Sequence, residues 1–197
     1  MKSISKMDRA ELAAFIQEHL RTKGIDVVLS GGACVSIYSQ GEYLSMDLDM
    51  IHTGLMAPKR SEVREAMEDL GFSENGRYFK HPHTDLFIEF PKGPPAVGEE
   101  PVKAIHELKT TTGTLRIISP TDCVKDRLTW FYHDNDQQCL AQAIAVAINN
   151  RIDLKEIERW SIGEGMRQQF EQIRKHLKSK TQQGTPEYFS TQRLKKL

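Results

Sequence analysis

A chain of 197 residues, 39% of them hydrophobic, is long enough to bury a proper core, as one elaborated domain or as a catalytic domain fused to a helical partner. Its 27 Lys and Arg balance 27 Asp and Glu, which excludes a whole-chain field drawing it to DNA or an anionic membrane, so any nucleic-acid contact would have to be local. Cys34, Cys123 and Cys139 are odd in number and lack Cys-x-x-Cys spacing, which argues against a disulfide framework and a structural zinc site.

The first residues lack a signal-peptide core, and no run approaches the roughly 20 apolar residues that span a bilayer, so a soluble cytoplasmic protein with reduced thiols is expected. Asp8 and Glu11 stand at the cap and third positions of a helix start, and Leu12, Phe15, Ile16 and Leu20 recur at helical spacing until Gly24 stops the run. Val27 to Leu29 predicts a buried strand, Gly31-Gly32 a tight turn whose backbone can approach a ligand, and residues 33–39 a helix opening on that turn. Met46 to Ile51 alternates, so Asp47 and Asp49 project from one face of a second strand while Leu48 and Met50 take the other. Two carboxylates side by side repel one another unless a cation sits between them. Hard divalent cations take carboxylate and phosphate oxygens together, and a glycine turn at a helix N-terminus presents N–H groups to the same phosphates.

After a loop at 54–58, residues 61–71 predict a helix with Val63, Met67 and Leu70 on one side. Glu74-Asn75-Gly76 reads as a turn, and residues 77–81 and 84–90 as strands joined at Pro82, with Asp85, Phe87 and Glu89 on one face and Leu86, Ile88 and Phe90 on the other. His81 and His83 could bind a transition metal with Asp85, but no Cys or third His stands close in sequence, which makes that the weaker reading. Residues 102–108 and 114–118 predict two further strands. From Ser119 the chain turns helical: Ser119 caps, Pro120 opens, and Cys123, Val124, Leu128 and Phe131 form the apolar side. Asp136 caps the next helix, 137–148, which is apolar nearly all round and expected at the centre of a bundle; one helix follows Asp153 and another covers 163–177. Beyond Lys178 there is little to bury, and residues 179–197 read as a mobile tail ending in Arg193, Lys195 and Lys196.

A strand, Gly-Gly, a helix and Asp-hydrophobic-Asp on the next strand, with 14 residues between Gly32 and Asp47, resembles the nucleotidyltransferase superfamily. Ser45, two before the first acid, stands where related proteins often carry Ser or Thr. The stretch from Ile118-Ser119-Pro120-Thr121-Asp122 to Arg127-Leu128, followed by Asp134-Asn135-Asp136, is similar to the MNT-like, abortive-infection (AbiEii-type) toxin nucleotidyltransferases. Arg127 falls where that group carries a lysine and Asp136 on its second-motif aspartate. Arginine in place of lysine, and Asn135 where arginine is usual, are departures; an arginine grips phosphate bidentately but cannot act as a base. The resemblance covers roughly residues 25 to 148.

It implies an α+β fold with a nucleotidyltransferase-like mixed β-sheet and flanking helices, expected as a catalytic domain over residues 1–118; the helical run from Ser119, whose last helices the resemblance does not explain, is expected as a C-terminal helical bundle lobe over 119–178. It also implies metal-dependent transfer of a nucleoside monophosphate from a nucleoside triphosphate to a hydroxyl group. Asp47, Asp49 and a third acid, Glu89 with Asp85 in reserve, would hold Mg²⁺ or Mn²⁺. Ser30, Gly31, Gly32 and Ser45 would bind the nucleotide, Arg127 would steady phosphate charge, and Asp136 would join the catalytic set. The acceptor stays open between a small-molecule alcohol, a protein side chain and the 3′ end of an RNA, as does a partner protein from a neighbouring gene. The alternative is a non-catalytic binding or toxin–antitoxin module on the same fold, which the departures at Arg127 and Asn135 favour.

Overall fold

A computed structural model describes residues 2–54 and 56–178; the tail expected over 179–197 lies outside them. A capping box starts the first helix, α1 (Arg9–Thr22): the Asp8 carboxylate accepts from the Glu11 backbone N–H at 2.9 Å, and the Glu11 carboxylate accepts from the Asp8 N–H at 3.0 Å. The chain then runs through β1 (Val27–Ser30), α2 (Gly31–Tyr38), β2 (Asp47–His52) and α3 (Arg60–Glu68). Next come β3 (Ser73–Asn75), β4 (Tyr78–His81), β5 (Thr84–Glu89), β6 (Ala96–Val97), β7 (Glu100–Pro101), β8 (Ile105–Lys109) and β9 (Thr114–Ile118). Four helices follow: α4 (Pro120–Asp134), α5 (Gln137–Asn149), α6 (Leu154–Gly163) and α7 (Arg167–Ile173).

Seven strands form one sheet in the order β3-β4-β5-β2-β1-β9-β8, and β6 and β7 pair as a separate hairpin. The sheet is mixed, because β1 runs antiparallel to β2 while β2–β5 and β1–β9 are parallel. One face carries Leu29, Leu48, Met50, Phe79, Ile88 and Ile117, all fully buried. Gln17 of α1 reaches Met50 on that face, and Arg60 of α3 lies 4.7 Å over the Phe79 ring, so α1 and α3 close it. The fold is therefore α+β with a mixed sheet, as the sequence implies. Among the described residues no helix is long and apolar enough to cross a membrane.

Four local expectations shift. Residues 74–76 are not simply a turn: Ser73–Asn75 pairs with β4, and Gly76, at φ +62°, and Arg77 make the two-residue hairpin loop. The strand expected over 102–108 starts only at Ile105, because the N–H of Val102 goes to the Pro95 carbonyl and that of Lys103 to the Asp122 carboxylate. The last helix does not span 163–177, since Gly165 at φ +77° ends α6 and a new helix starts at Arg167. α5 packs on α4 and α2 but leaves Ile148 43% exposed, so it lines the edge of the helical layer rather than its centre.

α4 packs on α2, α5, α6 and β6 of the small hairpin. Its side carrying Val124, Lys125, Leu128 and Tyr132 is buried, with the Tyr132 hydroxyl 2.9 Å from that of Ser161 on α6. Lys125 is fully buried, its Nζ 3.1 Å from Asp122 and 3.4 Å from Glu156, and 5.8 Å from the Trp160 ring centroid. Lys103 and Arg159 add further ion pairs to Glu156, and Arg159 also pairs with Glu100 of the small hairpin. Asn150, just past α5, donates to the carbonyls of Tyr38 and Val146 at 2.8 Å and so ties α5 to the end of α2.

Candidate functional site

The strand register assembles the site. Ser30 pairs with Asp49, Asp49 with Glu89 and Glu89 with Tyr78, so these four residues form one row across β1, β2, β5 and β4. Adjacent strands stand about 4.8 Å apart and paired residues share a face, which sets the Asp49 and Glu89 carboxyls side by side. Asp47 is level with Phe87, one step back on the same face. Of the two candidates for a third acid, Glu89 therefore stands in the Asp49 row, whereas Asp85 lies four residues earlier on β5 and is exposed.

The two glycines fit over this row. Gly31 has φ +67°, and a Cβ there would come within 2.0 Å of the Asp49 carboxylate, so only glycine allows β1 to turn into α2 above that acid. At Gly32 a Cβ would meet the Ser45 side chain at 3.0 Å. Ser30 sits at the N-cap of α2, and its hydroxyl makes no capping bond. Ser45 is held from several sides: its N–H donates to the Ser36 hydroxyl at 2.9 Å, its carbonyl accepts from Arg9 at 2.7 Å, and its hydroxyl accepts from the Asp47 N–H at 3.3 Å. The strand carrying the acids is thereby pinned at its start.

Burial pushes the Asp49 carboxyl up to about 6, helped by the charges of Glu89, Asp47 and Asp126 and opposed by Arg127. The charges of Asp126 and Arg127 on α4 thus lie close enough to act on Asp49. Arg127 is only 14% exposed and is fastened to Asp126, with its Nε 3.0 Å from that carboxylate. Sequence reasoning named Arg127 and passed over Asp126. The signal was present, because the apolar stripe of Cys123, Val124 and Leu128 leaves positions 126 and 127 off the core side. One turn beyond them on the same helix, Trp130 is 52% exposed, while Trp160 is fully buried and stacked 5.9 Å from Tyr132.

Asp136 serves the fold as the N-cap of α5. Its Oδ1 accepts from the N–H groups of Gln138 and Cys139, at 2.8 and 3.0 Å, and these bonds lower its pKa. Asn135, at φ +55°, is the left-handed C-cap of α4, a conformation that asparagine tolerates better than arginine. That is a physical reason for the departure noted at this position. His81 packs against Phe72 at 5.0 Å and His83 at 5.3 Å, and burial lowers its pKa.

Among the described residues, no three His, Cys, Asp or Glu side chains are gathered closely enough to hold a metal ion as they stand. That holds for the histidines with Asp85 and for the acid row. Asp47, Asp49 and Glu89 nevertheless fit a hard divalent cation in kind: all are oxygen donors on one sheet face, and burial, together with the neighbouring carboxylates, raises the pKa of the central one.

No family model matches the chain, and no curated protein matches it by sequence. Among solved structures it is similar to an antigenic nucleotidyltransferase-like protein from Paracoccidioides brasiliensis, with TM-score 0.57 and 13% identity over 86% of this chain and 91% of that one. Two structures of the antibiotic-resistance factor ANT(2'')-Ia, one of them in complex with adenylyl-2''-tobramycin, align at TM-scores of 0.46 and 0.44, with 15% and 14% identity. They cover 82% and 80% of this chain and 93% and 94% of theirs, and the fold assignment does not rest on them. The fold is that of nucleotidyltransferase-like proteins.

Proposed function

We propose that the protein is a metal-dependent nucleotidyltransferase that moves a nucleoside monophosphate from a nucleoside triphosphate to a hydroxyl acceptor. The observation that carries this reading is the row of Asp49 and Glu89 on adjacent strands, under a glycine turn that leaves room for it, with the charges of Asp126 and Arg127 on α4 close enough to act on Asp49. A fold kept only for packing has no use for like charges held together at this density. Asp47, Asp49 and Glu89 would hold Mg²⁺ or Mn²⁺, which when bound offsets phosphate charge and lowers the pKa of an acceptor hydroxyl. The Gly31 and Gly32 N–H groups at the start of α2, with the Ser30 hydroxyl, would bind phosphate oxygens. Arg127, oriented by Asp126, would stabilise charge on the departing pyrophosphate. Ser45 is a positioning residue that fixes the start of β2.

The test is incubation with each labelled nucleoside triphosphate, Mg²⁺ or Mn²⁺, and total RNA, small alcohols or the protein itself as acceptor. Transfer that disappears in Asp49→Asn supports the proposal. Wild-type protein that neither binds a triphosphate in a metal-dependent way nor transfers label leaves the second reading, a binding or toxin–antitoxin module. The arginine at the group's lysine position is the observation favouring that one. A cytoplasmic location and a partner protein from a neighbouring gene belong to either reading.

A further inference from the structure

Arg77 plays no part in the proposed site, yet it lies against it. It occupies the loop between β3 and β4, next to Gly76, and its Nε is 3.5 Å from the Glu89 Oε2. The guanidinium does not wander in solvent: its carbon lies 4.7 Å over the centroid of the Tyr78 ring, and it donates a hydrogen bond to the Tyr78 hydroxyl. Tyr78 is the register partner of Glu89, so the ring carrying the arginine belongs to the row that holds the acids. Asp47 also acts on the Arg77 charge. The other arginines near the acids are fastened elsewhere, Arg127 to Asp126 and Arg9 to the Ser45 carbonyl.

We propose that Arg77 is a tethered cation that occupies the acid row by pairing with Glu89, competes there with a divalent metal ion, and on displacement binds the phosphate chain of the nucleotide. The inference rests on the reading of Glu89 as a metal ligand. Glu89 cannot serve both cations fully, and a guanidinium that is 68% exposed can leave without repacking anything. Released from Glu89, it keeps its contacts with Tyr78 and stays beside the row, where its fork geometry suits phosphate oxygens. The result is a site in which metal alone binds weakly and metal with nucleotide binds well. The device discourages occupation by free metal without substrate.

The experiment titrates Mn²⁺ alone into the full chain and follows free Mn²⁺ by electron paramagnetic resonance, for wild type, Arg77→Gln and Arg77→Lys. It then titrates inorganic tripolyphosphate at saturating Mg²⁺. Removing an exposed ion pair should tighten Mn²⁺ binding by Arg77→Gln about two- to fivefold, while tripolyphosphate binding weakens. Arg77→Lys should keep near wild-type Mn²⁺ affinity. Equal Mn²⁺ affinity in wild type and Arg77→Gln overturns the inference and leaves the metal reading standing, and so does weakening of both ligands, which would report a damaged site. Absence of Mn²⁺ binding by wild type and Arg77→Gln alike, with tripolyphosphate present as well as without it, overturns both.

Discussion

The acid row and the network around Lys125 are both dense in charge, and they solve the problem in opposite ways. In the network each buried charge meets its opposite: hydrogen bonding to Arg159, with help from Lys103 and Lys125, holds Glu156 down to about 2. In the row, burial and neighbouring carboxylates push Asp49 up to about 6. Satisfied opposite charges fix α4 against α6 and the small hairpin. Like charges that outnumber their exposed partner, Arg77 on Glu89, leave a place where a further cation gains energy by arriving. Similar residue types therefore mark structure in one region and chemistry in the other, and the direction of the pKa shift tells them apart.

The largest effect should come from breaking the network. Lys125→Met leaves Asp122 and Glu156 without their buried partner, and chemical denaturation should show a loss of about 3–5 kcal/mol. A loss below about 1 kcal/mol would mean that the network tolerates an apolar substitute. The Glu156 contribution has its own sign. Its folded pKa lies below the ordinary 4.5, so the stability it adds is present above that value and is lost as pH falls toward 2.

Asp49→Asn should do the reverse. Its folded pKa is raised from 3.8 to about 6, so the folded state holds the proton more tightly and stability drains away as pH rises through that window. Near pH 7.5 the variant should be more stable than wild type, by up to about 3 kcal/mol at 1.36 kcal/mol per pKa unit, with no gain at pH 4 and with metal-dependent nucleotide binding lost. Thermal melts at the two pH values, paired with calorimetry, check this. An unchanged melting temperature at pH 7.5 would show that the row is not strained.

Glycine substitutions measure the same crowding at smaller scale. Gly24→Ala meets only a left-handed backbone, with nothing within 4 Å of the new Cβ, and should lose about 1 kcal/mol. Gly31→Ala meets that backbone and also the Asp49 carboxylate, and should lose about 1–3 kcal/mol more. Equal losses would show that Asp49 moves aside freely. The finest distinction lies within β5: Glu89→Gln should abolish metal-dependent nucleotide binding and Asp85→Asn should leave most of it, as measured by calorimetry.

Legibility in the sequence follows the range of the interactions. The alternation that puts Asp47 and Asp49 on one face, the Gly31-Gly32 turn and the caps at Asp8, Ser119 and Asp136 are local, and the chain spells them out. The pairing of Asp49 with Glu89 depends on a parallel crossover through α3 and the β3–β4 hairpin. Periodicity narrowed the third acid to a strand face, and only the register places Glu89 in the row. Lys125 was invisible because its side chain is buried by partners as distant as Glu156, 31 residues on. Asp126 was legible and overlooked, its place on the helix being fixed once the apolar stripe of α4 is drawn. The separate β6–β7 hairpin was missed because two-residue strands carry no period.

The two tryptophans give the protein a pair of intrinsic optical labels, Trp160 beside Lys125 in the network and Trp130 on α4 a helical turn from Asp126 and Arg127. Trp160, without exposure and stacked on Tyr132, should emit at short wavelength and resist acrylamide, while Trp130, half in solvent, should emit to the red and be quenched. Because Trp130 stands one turn from Asp126 and Arg127, a ligand settling between α4 and the acid row should alter only the quenchable fraction of the emission. Unfolding of the Lys125 network should alter the protected fraction first. A single unlabelled sample can thus report, by wavelength, which of the two regions has responded.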